Sequence, residues 1–133
     1  MSQRLAERRR PFREKAQKVM DQLRKKDAIW PFVERVNEEV APDYYQLIKT
    51  PMWLEKVAHK LELGEYEDSL ERFSEDLNRI FDNAISYNRP DTVYHKYAVQ
   101  LKHFLKGLIA DLDSEMKKLR LQESTKTNSS LLT

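Results

Sequence analysis

Apolar side chains recur at the spacing of an α-helix in four separate segments of the chain. The first segment places them at i, i+3, i+4 and i+7, as Ala16, Val19, Met20 and Leu23. This spacing predicts a helix over about residues 13–26, just after Pro11, with one apolar stripe that packs inward. A second, short helix is predicted from a similar stripe, Leu54, Val57, Ala58 and Leu61. It ends at Gly64, because a residue without a Cβ suits a left-handed helix cap.

The third apolar stripe predicts a helix of about five turns. Its members are Leu70, Phe73, Leu77, Ile80, Phe81, Ala84 and Ile85. Asp68, followed three residues later by Glu71, resembles a capping box, so we expect the helix to start there. The helix ends near Tyr87 and Asn88, because Pro90 cannot continue the hydrogen-bond ladder.

The fourth stripe predicts another long helix, for which Asp91 or Thr92 can serve as the N-cap. Its apolar members are Tyr97, Ala98, Leu101, Phe104, Leu105, Leu108, Ile109, Leu112, Met116 and Leu119. Residues 122–133 are polar and aperiodic, and we predict a disordered tail there. Residues 1–12 precede the first helix as a basic arm. The folded domain is therefore predicted to span residues 13–121.

The segment between Asp27 and Met52 shows no helical period. Its three prolines each remove a backbone donor and restrict the residue before them. We predict a long, mostly irregular loop that carries many large apolar residues: Trp30, Phe32, Val33, Val36, Val40, Tyr44, Tyr45, Leu47 and Ile48. Loops of this length inside a compact domain are uncommon and are often functional.

Short connections between the last three helices favour antiparallel neighbours. We therefore predict an all-α fold, a left-handed up-down four-helix bundle with a long loop between the first and second helices. In this arrangement the end of the third helix, the start of the fourth and the long loop lie at the same end of the bundle. The turn at residues 87–94 and the aromatic residues of the loop are expected to meet there.

Composition and charge narrow the classes of partner. With 133 residues, 35 % of them charged and 40 % hydrophobic, the chain is typical of one soluble helical domain. The net charge of +2 conceals an asymmetry, since residues 1–26 carry +7 and the remainder carries −5. A basic arm suits a polyanion, and an acidic body suits a basic ligand. No apolar run approaches the roughly 18 residues of a membrane span, and no heptad seam predicts more than a monomer.

The sequence lacks the spacings that common catalytic sites need. It contains no cysteine, which excludes thiol catalysis and cysteine-ligated zinc. Di-metal sites in helix bundles need a glutamate three residues before a histidine, and none of His59, His95 and His103 has one. There is no glycine-rich phosphate loop and no nucleophile elbow. We therefore expect a protein that is not an enzyme and that has no metal or cofactor.

Four short motifs, taken in order along this helix pattern, resemble the bromodomain family of chromatin proteins, which read acetyl-lysine. They are "WPF" at 30–32, "APDYY" at 41–45, "IKTPM" at 48–52 and "YN" at 87–88. The resemblance covers about residues 13–118. It implies a nuclear protein that binds acetylated histone tails.

The resemblance also implies which residues bind acetyl-lysine. Asn88 would donate its side-chain N–H to the acetyl oxygen, and Tyr44 would reach the same oxygen through a water molecule. The remaining residues would form the walls, with Trp30, Pro31 and Phe32 as a hydrophobic shelf, Val36 and Ala41 on the loop side, Tyr87 on the helix side, and Tyr94 as the gatekeeper at the mouth. Acetyl-lysine is an amide on an apolar stem, so its site needs a donor, an apolar sleeve and no charge.

The same residues also have purely structural interpretations. Asn88 alone suits a helix C-cap, and Tyr45 is expected to plug the loop into the core. Arg35 stands where many family members have proline, and Trp53 stands where aspartate is common, so the second helix either takes its cap from another group, such as Thr50, or frays. These departures support a second hypothesis. The chain would then be a helical interaction or scaffold domain of the same fold that no longer binds acetyl-lysine.

Overall fold

The computed structural model describes the backbone of residues 3–132 and the side chains of residues 11–123. Within residues 3–132 the structure contains helices and no strand. The α-helices are α1 (Gln3–Arg24), α2 (Tyr44–Leu47), α3 (Leu54–Glu62), α4 (Leu70–Tyr87) and α5 (Val93–Leu132). A 3₁₀ helix covers Asp27–Phe32. None of the helices described here is long and apolar enough to cross a membrane.

The helices α1, α3, α4 and α5 form the bundle, in which each helix packs against two others. Helix α1 packs on α3 and α5, and α4 packs on the same two helices, with its most extensive contact on α5. Each helix contributes fully buried side chains to the shared core, among them Met20, Leu23, Leu54, Val57, Phe73, Leu77, Phe81, Leu101 and Leu105. The prediction of an all-α four-helix bundle is confirmed, because each apolar stripe is covered by its two neighbours.

Both ends of the chain differ from the prediction. Helix α1 begins at Gln3 rather than near Arg13 and contains Pro11 in its interior. The residues before this proline are mostly good helix formers, and proline removes only one hydrogen bond of the ladder. Helix α5 continues to Leu132 where a disordered tail was predicted, since neither glycine nor proline follows Gly107 to end it. The division into arm, domain and tail stays a prediction, and the described backbone is helical at both of its ends, from Gln3 and as far as Leu132.

The start of α4 lies one residue later than the predicted capping box. Ser69 is the N-cap, and its Oγ accepts a hydrogen bond from the backbone N–H of Arg72 at 3.2 Å. Asp68 has a φ of 65°, in the left-handed region, whereas an N-cap needs an extended backbone such as that of Ser69. Gly64 has a φ of 76°, as predicted for the end of α3. Asp68 therefore shapes the turn and does not cap the helix.

The start of α3 is capped by the loop. Trp53 occupies the N-cap position without a side-chain hydrogen bond. The backbone carbonyl of Val33 accepts a hydrogen bond from the N–H of Glu55 at 3.0 Å, which satisfies one of the unpaired donors of the first turn. The carbonyl of Thr50 instead accepts from Asn83 Nδ2 at 2.9 Å. Of the two predicted alternatives, the cap from another group is correct, and this group is Val33.

The loop between α1 and α3 is more ordered than predicted, because it contains the 3₁₀ helix and α2. The prediction that Tyr45 plugs the core is wrong. Its ring is only half-buried, and its hydroxyl donates to the carbonyl of Val36 at 2.6 Å and accepts from Arg35 Nε at 3.2 Å. A tyrosine hydroxyl needs a polar partner, so this ring lies where the loop offers one. Tyr45 thus links the α2 segment of the loop to residues 35–36 of the same loop.

One charged side chain, Asp76 of α4, is buried among residues 11–123. Its Oδ2 accepts hydrogen bonds from Lys60 Nζ at 2.5 Å and from the Tyr66 hydroxyl at 2.7 Å, and its Oδ1 accepts one from Arg79 at 2.9 Å. Burial raises the pKa of this carboxyl, but the hydrogen bonds from Lys60 and Tyr66 outweigh it and lower the pKa overall. The network ties α4 to α3.

Candidate functional site

Two aromatic pairs join the long loop to the turn between α4 and α5. The rings of Trp30 and Tyr94 lie edge to face with their centroids 5.9 Å apart. The rings of Tyr44 and Tyr87 meet in the same way at 4.9 Å. In the chain, Asn88 follows Tyr87 of one pair directly and precedes Tyr94 of the other pair by six residues. The predicted meeting of these elements at one end of the bundle is confirmed.

Asn88 is the half-buried C-cap of α4, with an extended backbone at φ −92° and ψ 141°. Its backbone N–H and its side-chain Nδ2 both donate to the carbonyl of Ala84, at 2.9 and 3.0 Å. A carboxamide nitrogen carries two N–H groups, so this bond uses one and leaves a second for a ligand. The capping role and the predicted binding role are therefore compatible.

The turn after Asn88 is held by α5. Thr92 Oγ1 accepts a hydrogen bond from the backbone N–H of His95 at 3.3 Å and donates to the carbonyl of Arg89 at 2.7 Å. Of the two predicted caps for this helix, Thr92 is the one observed. His95 Nδ1 lies 3.0 Å from the carbonyl oxygen of Asn88. No sequence motif marks His95, whose only signal is its place in the first turn of a capped helix.

Tyr44 is buried, with 5 % of its surface exposed. Its ring packs edge to face against Tyr45 at 5.1 Å and against Tyr87. Burial, with smaller contributions from Tyr45 and Tyr87, raises the pKa of the Tyr44 hydroxyl to about 12. The phenol is therefore neutral near pH 7 and retains an O–H that can donate to a water molecule or to a ligand.

Tyr87 connects the end of α4 to the start of α2. Its hydroxyl donates to Asp43 Oδ1 at 2.7 Å. This hydrogen bond is the main cause of the raised pKa of Tyr87, because losing the phenolic proton would place two anions side by side. The bond fixes Tyr87, the predicted wall residue on the helix side, relative to Tyr44, the residue after Asp43.

The three predicted shelf residues lie in different surroundings. Trp30 is 59 % exposed, Pro31 is half-buried, and Phe32 is a core residue whose ring packs edge to face on Phe81 at 5.5 Å. Phe32 therefore anchors the segment, while Trp30 presents its indole to solvent beside Tyr94. Val36 and Ala41, the predicted loop-side wall, are both half-buried.

The rim around these residues is acidic. Exposed carboxylates lie along the loop and on the turn after Asn88, at Asp27, Glu34, Glu38, Glu39, Asp43 and Asp91. Arg35 pairs with Glu38 at 3.0 Å, and Arg89 lies 3.8 Å from Asp91, so these two arginines offset part of this charge. Among the residues that the structure describes, no three histidine, aspartate or glutamate side chains cluster as metal ligands would. The carboxylates that remain unpaired with an arginine give the rim a negative charge, which suits a basic ligand.

Comparison with known proteins identifies the family. The bromodomain family model matches residues 16–100. The histone acetyltransferase GCN5 of Oryza sativa subsp. japonica is 42 % identical over 81 residues, which are 61 % of this chain and 16 % of that protein. The human bromodomain and PHD finger-containing protein 3 is 39 % identical over 92 residues, which are 69 % of this chain and 8 % of that protein. This chain thus matches less than a fifth of the length of either relative.

A solved structure agrees with the sequence comparisons. The bromodomain from human BAZ1A superposes with a TM-score of 0.71 at 28 % sequence identity, and the match covers 74 % of this chain and 92 % of that one. The residues that the family model matches include all of α3 and α4, parts of α1 and α5, and the loop that carries the aromatic residues. From the family model, the sequence identities and the shared fold together, it follows that this chain belongs to the bromodomain family.

Proposed function

We propose that this chain is an acetyl-lysine reader module that binds acetylated histone tails in the nucleus. The observation that carries the proposal is the position of Asn88. It caps α4 directly after Tyr87, whose ring packs on Tyr44, and uses only one side-chain N–H to do so. The bromodomain module binds and does not catalyse, even where a relative is named as an acetyltransferase.

The chemistry of these residues suits a neutral amide on an apolar stem. Asn88 supplies a donor for the acetyl oxygen, the neutral hydroxyl of Tyr44 supplies a site for a bridging water, and aromatic rings surround the stem. An unmodified lysine would have to bury its ammonium group, which costs more than one hydrogen bond returns. This penalty is the source of the expected preference for acetylated lysine.

The acidic rim supports a histone tail as the ligand. Histone tails are strongly basic, and the exposed carboxylates of Glu34, Glu38, Glu39 and Asp43 lie on the loop beside the proposed site. Complementary rim charge speeds encounter and selects among ligands more than it adds affinity, and its effect fades as salt is raised. Lysine and arginine residues flanking the acetylated lysine should therefore favour binding at low salt.

We expect this chain to bind acetylated histone-tail peptides and not the matched unmodified peptides. Because the inserted group is small and makes one direct hydrogen bond, the dissociation constant should lie between roughly millimolar and micromolar. Isothermal titration at near-physiological salt, with each peptide in both forms, measures the difference. Equal binding to both forms would contradict the reader function. If circular dichroism then shows that the chain is folded and helical, the result would favour the scaffold hypothesis.

We also propose that the basic segment at residues 1–12 contacts nucleosomal DNA. Replacing Arg8, Arg9 and Arg10 with glutamine removes three positive charges and leaves good helix formers in α1. The slope of log affinity for DNA against log salt should become shallower by about 3, because each neutralised phosphate contributes about 0.9. Fluorescence anisotropy on duplex DNA measures the slope, and acetylated-peptide affinity serves as the control. An unchanged slope would exclude the contact.

A further inference from the structure

The backbone of Asn88 is held as firmly as its side chain. Its N–H and Nδ2 share the carbonyl of Ala84, and its own carbonyl lies 3.0 Å from His95 Nδ1. We infer that His95 is a positioning residue, which fixes the recognition asparagine in the orientation that acetyl-lysine needs. The inference rests on the proposed function, since it gives His95 a purpose only if Asn88 receives a ligand.

The direction of this hydrogen bond follows from the chemistry of its two atoms. A backbone carbonyl oxygen accepts and never donates, so the Nδ1 of His95 must carry the hydrogen. The half-buried ring is thereby committed to one orientation, with Nδ1 towards Asn88 and Nε2 on the opposite side. The bond defines both the protonated nitrogen and the rotamer of this histidine.

The bond to its carbonyl restrains the ψ angle of Asn88, and the bond from Nδ2 to the carbonyl of Ala84 restrains its side chain. The ψ angle of 141° decides where the carbonyl points, and it departs from the helical value at the residue where α4 ends. With its backbone N–H on one side and its carbonyl on the other both bonded, the residue has little freedom to rotate. The direction of the second Nδ2 hydrogen is therefore set before a ligand arrives, which reduces the ordering cost of binding.

His95 is itself rigidly placed. Its backbone N–H donates to the cap residue Thr92, and the next N–H, that of Lys96, donates to the Thr92 carbonyl at 3.2 Å. Helix α5 packs along α4 and against the 3₁₀ helix, and Tyr94 in its first turn contacts Trp30 of that 3₁₀ helix. The bond from His95 to the carbonyl of Asn88 thus connects the first turn of α5 directly to the end of α4.

A pair of substitutions tests whether the donor at position 95 matters for binding. His95→Leu removes the donor, and we expect it to weaken acetylated-peptide binding about three- to tenfold, the effect of one net hydrogen bond. His95→Asn places a carboxamide nitrogen as many bonds from Cα as Nδ1 and should restore affinity to within about twofold. His103→Leu, which changes an exposed histidine of the same helix, is the control. Equal affinity in the wild type and His95→Leu, or equal loss in both His95 variants, would overturn the inference.

Nitrogen-15 NMR of the His95 ring tests the geometry without any ligand. We expect a protonated Nδ1 near pH 7 and a coupling across the hydrogen bond to the carbonyl carbon of Asn88. An unprotonated Nδ1 would overturn the inference even if acetylated peptides bind. If the wild-type chain bound no acetylated peptide, the proposed function would fail, while the ring spectrum would still decide whether His95 holds Asn88.

Discussion

Replacing Asn88 with alanine is expected to weaken binding of the acetylated peptide roughly 5- to 150-fold. The substitution leaves the acetyl oxygen without its direct donor, and an unsatisfied buried polar group costs about 1–3 kcal/mol. The fold should survive, because the backbone N–H at this position still donates to the carbonyl of Ala84. Isothermal titration with the acetylated peptide measures the loss, and thermal unfolding checks that the bundle is intact.

Asn78 offers a matched control on the same helix. Its Nδ2 donates to the carbonyl of Ser74 at 2.9 Å, the same bond to the residue four positions earlier that Asn88 makes to Ala84. Asn78→Ala removes a bond of the same type and should leave peptide affinity unchanged. A third variant, Asn88→Asp, keeps the shape but replaces the donor with a charged acceptor, and should bind no better than Asn88→Ala. If both Asn88 variants bind the acetylated peptide as tightly as the wild type and the Asn78→Ala control, Asn88 is only a helix cap.

Replacing Asp76 with alanine is expected to lower the free energy of unfolding by about 2–4 kcal/mol. The change leaves the buried hydroxyl of Tyr66 without its acceptor and the half-buried ammonium of Lys60 without its counter-charge. Urea unfolding measures the loss. Asp82→Ala is the control on the same helix, because Asp82 forms an exposed ion pair with Lys102 and such pairs contribute about 1 kcal/mol or less. Equal stability losses in the two variants would contradict a special role for the buried network.

The contribution of Asp76 should depend on pH in a definite direction. Its pKa in the folded protein is lowered from the ordinary value of 3.8, so the folded state holds the proton less tightly than the unfolded state. The stabilisation is therefore complete above about pH 5 and decreases as the pH falls below 4 towards the folded-state pKa. The difference in unfolding free energy between the wild type and Asp76→Ala should shrink over this range. A constant difference down to pH 3 would show that the carboxylate charge is unimportant.

The helix boundaries show where sequence reasoning loses accuracy. Periodicity located every long helix, because the spacing of apolar residues directly reflects which face is buried. The ends were less certain, since a cap depends on backbone angles as well as residue type. Asp68 and Ser69 are both good N-cap residues, and only the left-handed φ of Asp68 decides between them. At the chain ends no residue forces a stop, so α1 and α5 extend beyond their apolar stripes.

For the candidate site, too, the sequence predicted some features and not others. The motif residues Trp30, Tyr44 and Asn88 were predicted from the sequence, because their types and order carry the resemblance to the family. The contacts that hold them were not. The bonds of Tyr45 to Val36 and of His95 to Asn88 join a side chain to a backbone carbonyl. Any residue supplies such a carbonyl, so residue type gives no sign of the pairing.

By itself, the sequence determined that the chain forms four main helices, that its acidic body follows a basic start, and that an asparagine ends the third of these helices. Each of these properties is local, because it depends on residue type and on spacing along the chain. The tertiary structure alone decided that Val33 caps α3, that Asp76 is buried between α3 and α4, and that His95 holds Asn88. These contacts join residues whose approach depends on how the helices pack and on how each carbonyl is oriented.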